Sequence, residues 1–215
     1  MFCLKTPTDP AWVHVALEDL DVVLVDHAHC EMKAASNALS LATRHLGNTR
    51  IALALSDLAR EEIDHFQQVL RILERRGIVL GAPPVDAYAA ELRRMTSEVR
   101  EDREGTTGAM IDRLLVCALI EARSCERFKL LVDALREGGP QEHRPHERLG
   151  ELRALYAELF AAEARHYRTF VDLATLAASG DEARVAARLA RLSELEGQIV
   201  VRLAAKGESR ASVHG

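Results

Sequence analysis

Two copies of Glu-x-x-His, Glu62-Ile63-Asp64-His65 and Glu163-Ala164-Arg165-His166, constrain this chain more than any other feature. Each sits inside a long pattern of helical period. Each is preceded by a separate helical segment that carries one Glu on its apolar stripe, Glu31 and Glu121. Residues three apart share a helix face, so Glu62 with His65, and Glu163 with His166, can each bind one metal ion. Glu31 and Glu121 can complete or bridge the two. Four carboxylates and two imidazoles projecting inward from four helices form the ligand set of a carboxylate-bridged metal pair. Their four negative charges balance two divalent cations. Without cations, buried carboxylates would suffer desolvation and mutual repulsion. An oxygen-rich set with few imidazoles suits iron, with manganese as the alternative, better than zinc. A single Glu-x-x-His is an ordinary surface occurrence; two, each on an apolar stripe and each paired with a stripe Glu, are not.

Helix breakers divide the rest. Pro7 and Pro10 precede a helical pattern over 11–45 that stops at Gly47-Asn48; its inner positions are Leu17, Leu20, Leu24, His27, Glu31, Ala34, Ala38 and Leu41. Thr49 is the expected cap of a second helix, to Arg76, stopped by Gly77, with Leu55, Leu58, Glu62, His65, Val69 and Ile72 inward. A connection over 77–84 leads to a short helix over 85–100 with Tyr88, Leu92 and Met95, then a polar loop over 101–107. A third long helix over 108–136 carries Leu114, Cys117 or Ala118, Glu121, Cys125, Phe128 and Val132. After Gly138-Gly139-Pro140 and a loop over 141–145, a fourth over 146–178 presents Tyr156, Leu159, Glu163, His166, Phe170 and Leu173; a last helix covers 181–204. No strand pattern occurs. The expected architecture is all-α: a four-helix bundle of two hairpins with additional shorter helices. The link between the hairpins is long enough to cross the bundle, as in ferritin-like folds. In domain terms, 1–10 is an N-terminal segment, 11–205 one helical domain, and 206–215 a disordered tail.

Composition narrows the function. Hydrophobic residues make up 48 % and aromatics 4 %, a mix that favours helices. The formal charge of −5 gives no overall basic signature, although a local basic face can sit on an acidic protein. Cys3, Cys30, Cys117 and Cys125 form no Cys-x-x-Cys pair, which argues against zinc ribbons, rubredoxin sites and thioredoxin-like sites. Free thiols and a Met1–Pro10 stretch without a signal-peptide pattern predict a cytoplasmic protein. The longest uncharged apolar run, Leu114 to Ile120, is too short for a membrane span. Among other polar residues, His27 and His29 read as core-edge and surface histidines, and His45, His143 and His146 as surface ones. Glu126 reads as a salt-bridge partner of an Arg. Asp26, Arg123, Tyr156 and Tyr167 are candidates for supporting the metal ligands.

Four strings carry a resemblance. They are Asp26-His27-Ala28-His29-Cys30-Glu31-Met32-Lys33-Ala34-Ala35-Ser36; Leu58-Ala59-Arg60-Glu61-Glu62-Ile63-Asp64-His65-Phe66; Leu119-Ile120-Glu121-Ala122-Arg123-Ser124-Cys125-Glu126-Arg127-Phe128; and Glu163-Ala164-Arg165-His166-Tyr167. Over about residues 10 to 180 the chain resembles the tRNA-(2-methylthio-N6-isopentenyladenosine) hydroxylase family, MiaE, which are ferritin-like non-haem diiron monooxygenases. The third string is far more specific than Glu-x-x-His; the stretch after Gly180 adds little. The resemblance implies two iron ions held by Glu31, Glu62, His65, Glu121, Glu163 and His166, the same six residues. It also implies O2 as co-substrate, a separate electron donor, and a tRNA substrate hydroxylated on the isopentenyl group of a modified adenosine beside the anticodon. Phosphate contacts would come from Arg side chains, with Arg71, Arg75, Arg76, Arg93, Arg94 and Arg100 as candidates.

Three other readings compete. One is a ferroxidase or iron-storage protein on the same fold, which a monomer or dimer in solution would count against. Another is a peroxidase of the rubrerythrin kind, weakened by the absent Cys-x-x-Cys pairs. The last is a metal-free helical interaction module.

Overall fold

The computed structural model describes residues 2–99, 105–136, 146–206 and 213. Among the described residues there are seven helices and no strand. They are α1 (Ala11–Glu18), α2 (Leu20–Arg44), α3 (Thr49–Arg75), α4 (Ala87–Glu98), α5 (Gly105–Ala134), α6 (His146–Ala177) and α7 (Glu182–Lys206). Residues 101–104 of the loop expected over 101–107, the whole loop expected over 141–145, and the candidates His143 and Arg100 lie outside the described residues.

The chain divides into two compact units. One comprises residues 18–85 and 211–213; the other comprises 1–17, 86–210 and 214–215. In the first, α2 packs on α3 as a hairpin. In the second, α5 packs on α6, α4 lies on α5, and α7 touches α4, α5 and α6.

The predicted stripes are the buried faces. On α3 all six expected inward residues are buried, and so are all six on α6. On α2 the stripe holds except that Ala35, not Ala34, is buried; on α5 Leu131, and just past its end Leu135, are buried, whereas the expected Val132 is only half-buried. One long helix over 11–45 is corrected: the chain breaks at Asp19, whose side chain accepts from the Val22 N–H at 3.1 Å and caps α2. The cap of α3 is likewise Asn48 rather than Thr49, accepting from the Ile51 N–H at 3.3 Å. Residues 105–107, expected in a loop, open α5. Replacing Asp19 by Ala leaves one of the first-turn N–H groups without its partner. The variant is expected to lose about 1 kcal/mol, measurable in a chemical denaturation midpoint.

At the end of α3, Gly77 adopts φ +70°, a left-handed conformation that costs a glycine little. Its N–H donates to the Glu74 carbonyl and the Ile78 N–H reaches back to the Leu73 carbonyl, both at 2.9 Å. These two bonds satisfy carbonyls that the helix end would orphan. The following connection is fastened to α2: the Leu80 carbonyl accepts from His29 Nε2 at 3.2 Å and the Pro84 carbonyl from Lys33 Nζ at 3.4 Å. On α7, Gly197 admits the N-terminal segment: a Cβ there would stand 2.5 Å from Thr6 Oγ1. Val213, within the expected tail, is buried, and its N–H donates to Asp26 Oδ2 at 2.7 Å.

Candidate metal centre

All six candidate ligands are buried. Glu31, Glu62 and Glu163 are each 1 % exposed, and Glu121, His65 and His166 are no more than 6 % exposed. In the α2–α3 unit, Glu31, Glu62 and His65 each offer a ligand atom within 4.8 Å of the others. His65 Nδ1 lies 3.5 Å from Glu62 Oε2 and 3.8 Å from Glu31 Oε2. In the other unit, Glu121 of α5 and His166 of α6 offer atoms within 4.8 Å of one another. Glu163 occupies the same α6 face one turn earlier. Helical register explains the placement: each Glu-x-x-His falls on the stripe that buries the neighbouring Leu, Val and Phe residues.

The electrostatics of the first cluster call for positive charge. Burial pushes the Glu31 carboxyl up, but hydrogen bonds from His27 and His65 outweigh it and hold the group well below the usual carboxylate range. Burial pulls the His65 imidazole down, yet the Glu31 and Glu62 carboxylates beside it push it up to about 10. Both shifts have one cause. Carboxylates stripped of water favour a cation beside them. A divalent metal ion answers the same demand, and the oxygen-rich donor set fits iron or manganese.

Several expectations change. His27 is fully buried rather than at the core edge, and its Nε2 lies 2.6 Å from Glu31 Oε1. His29 is also buried. The signal for His27 was present, since a polar residue occupied an apolar stripe position four before Glu31. Arg123, expected to support a ligand, instead pairs with Glu196 of α7 and with Glu126. That makes Glu126 the salt-bridge partner it was read as. Tyr156 packs against Phe128 with ring centroids 5.3 Å apart, and Tyr167 stacks on Phe2 at 4.5 Å. Asp26 serves Val213 and accepts weakly from the Cys30 thiol. Of the Arg candidates, Arg76 is bound to Asp21 and Arg94 to Glu91 and Glu98.

An all-helical chain with buried Glu-x-x-His pairs defines the class, and comparison with known proteins defines the family. The family model described as tRNA-(MS[2]IO[6]A)-hydroxylase (MiaE) matches residues 1–210. A Pseudomonas putida protein named tRNA 2-(methylsulfanyl)-N(6)-isopentenyladenosine(37) hydroxylase is 40 % identical, over 90 % of this chain and 85 % of its own. A Salmonella typhimurium protein of the same name is 27 % identical, over 92 % and 83 %. A solved structure, "Protein 43 with aldehyde deformylating oxygenase activity" from Synechococcus, is similar with a TM-score of 0.82 and 36 % identity, covering 100 % of this chain and 96 % of that one. The chain belongs to the MiaE hydroxylase family and has its all-α, ferritin-like fold. Among the described residues, no helix is long and apolar enough to cross a membrane.

Proposed function

We propose that Glu31, Glu62, His65, Glu121, Glu163 and His166 together hold two iron ions, and that the protein is a non-haem diiron monooxygenase acting on tRNA. Its substrate is an isopentenylated adenosine next to the anticodon, with or without a methylthio group. The observation that carries this reading is the buried Glu31–Glu62–His65 cluster, which demands a cation, in a chain of a hydroxylase family.

Bound iron would supply the activation of O2 that an unactivated C–H bond requires. Hydroxylation places one oxygen atom of O2 in the C–H bond and releases the other as water, consuming two electrons and two protons. A separate reductant provides the electrons. The chain's own residues bind the ions, fix their carboxylates and exclude water through the apolar stripes on either side of each ligand. The tRNA phosphates would be met by Arg side chains; Arg71, Arg75 and Arg93 are exposed. The reaction belongs in the cytoplasm, where the protein would act as a monomer or small homo-oligomer.

Mass spectrometry of tRNA nucleosides from strains with and without this chain tests the substrate. Deletion is expected to abolish the hydroxylated isopentenyladenosine and to leave its unhydroxylated precursor in equal amount. Unchanged hydroxylated nucleoside in the deletion strain would refute the assignment.

A further inference from the structure

The geometry points to His27 as a positioning residue for the metal centre, holding Glu31 so that one defined oxygen is presented for coordination. This rests on the metal reading above. His27 precedes Glu31 by four residues on α2, which puts both on one face. They are 0 % and 1 % exposed. The ring Nε2 lies 2.6 Å from Glu31 Oε1. A carboxylate that ligates a metal ion is ionised and has no proton to give, so as a metal ligand Glu31 would accept at Oε1 from the ring Nε2–H.

The two oxygens of Glu31 are thereby divided. Oε1 is engaged by His27, whereas Oε2 is the atom 3.8 Å from His65 Nδ1, within the same cluster as Glu62. Freed from this bond, the carboxylate could rotate about its last torsion, which is broad and has no strong preference. Burying an imidazole on a stripe otherwise filled by Leu20, Leu24, Ala38 and Leu41 is costly unless its polar atoms are used. A leucine at that position would fill the same space without that cost. Partners that hydrogen-bond metal-ligating carboxylates are commonly worth about 10–100-fold in metal affinity.

The test uses the full-length protein loaded anaerobically with ferrous iron, with affinity read by chelator competition and the site by Mössbauer spectroscopy. His27→Phe keeps a planar ring at the position and removes the donor. It is expected to bind two ions at saturation, to lose about 10–100-fold in affinity for one of them, and to change the quadrupole splitting of one of the two iron signals. His27→Gln, whose amide N–H can reach Oε1, should restore most of the affinity and the wild-type spectrum. If His27→Phe does not fold by circular dichroism, His27→Met against His27→Gln makes the same comparison. Wild-type affinity and spectrum without the donor would overturn the positioning role. So would loss of one ion at saturating iron, since His27 would then itself be a ligand. A wild-type protein that binds no iron would overturn the metal reading instead, and this inference with it.

Discussion

Replacing Glu62 with Ala is expected to abolish hydroxylation and to reduce bound iron from two ions per chain toward one, with the helices intact. Glu62 is 1 % exposed, and its Oε2 lies 3.5 Å from His65 Nδ1. Loss of a group that merely supports a ligand costs about 10–100-fold; loss of a ligand should exceed that range. Stability provides a second readout. A ligand that binds only the folded state adds about 4 kcal/mol at a thousand times its Kd, so wild-type protein should melt higher with ferrous iron than without. In Glu62→Ala most of that increment should vanish. His166→Ala should behave alike from the other unit, because each Glu-x-x-His is proposed to serve one ion. Iron content by elemental analysis, helix content by circular dichroism and turnover on isopentenylated tRNA check the three parts. Wild-type turnover in both variants would remove these residues from the metal site.

Much of this molecule could be read directly from residue spacing. A buried helical face repeats every three or four residues, and the six stripe positions on α3 and the six on α6 are all buried as that period requires. The candidate ligands stood out because a carboxylate on such a stripe is expensive without a partner. What escaped was tertiary or lay between near-equivalent local signals. The break at Asp19 contains neither Gly nor Pro; a capping Asp between two apolar helical patterns looks like one continuous helix. Asn48 and Thr49 are adjacent residues of capping type, and only the Asn48 bond to the Ile51 N–H tells them apart. His27 was on the stripe, but its partner became apparent only with the 2.6 Å contact. The stretch after Gly180 appeared undistinctive, yet it carries Glu196, the buried partner of Arg123 at a separation of 73 residues. No local pattern announces a pair that distant.

That pair leads to the largest stability effect expected in the chain. Arg123 is fully buried two residues beyond Glu121 on α5. Its Nε donates to Glu196 Oε1 at 3.0 Å, and its Nη2 to Oε1 at 2.7 Å and Oε2 at 3.0 Å. The same guanidinium reaches Thr8 Oγ1 at 3.1 Å and the Thr6 carbonyl at 2.9 Å. Tyr88 of α4 donates its hydroxyl to Glu196 Oε1 at 3.0 Å, and burial keeps that phenol protonated by pushing it well above its usual range. One cation therefore ties the N-terminal segment, α5 and α7 together, with α4 joined through Glu196. Four residues on, Arg127 lies over the Trp12 ring at 4.9 Å, fastening α1 to the same helix. The turn that delivers Glu121 is also the turn that anchors the unit. Arg123→Ala leaves Glu196 buried, at 0 % exposure, without its cation. Breaking such a pair costs about 3–5 kcal/mol, which at roughly 2–4 °C per kcal/mol for a chain of this size corresponds to a Tm lower by about 10 °C. Lysine should recover little, since it lacks the planar fork that meets both carboxylate oxygens. Arg123→Met combined with Glu196→Leu should melt above Arg123→Ala, because the stranded charge is gone. Thermal melts followed by circular dichroism decide it. An unchanged Tm in Arg123→Ala would refute the stabilising role of the pair, and a double variant no better than the single would show that the cost lies in lost packing rather than in the uncompensated carboxylate.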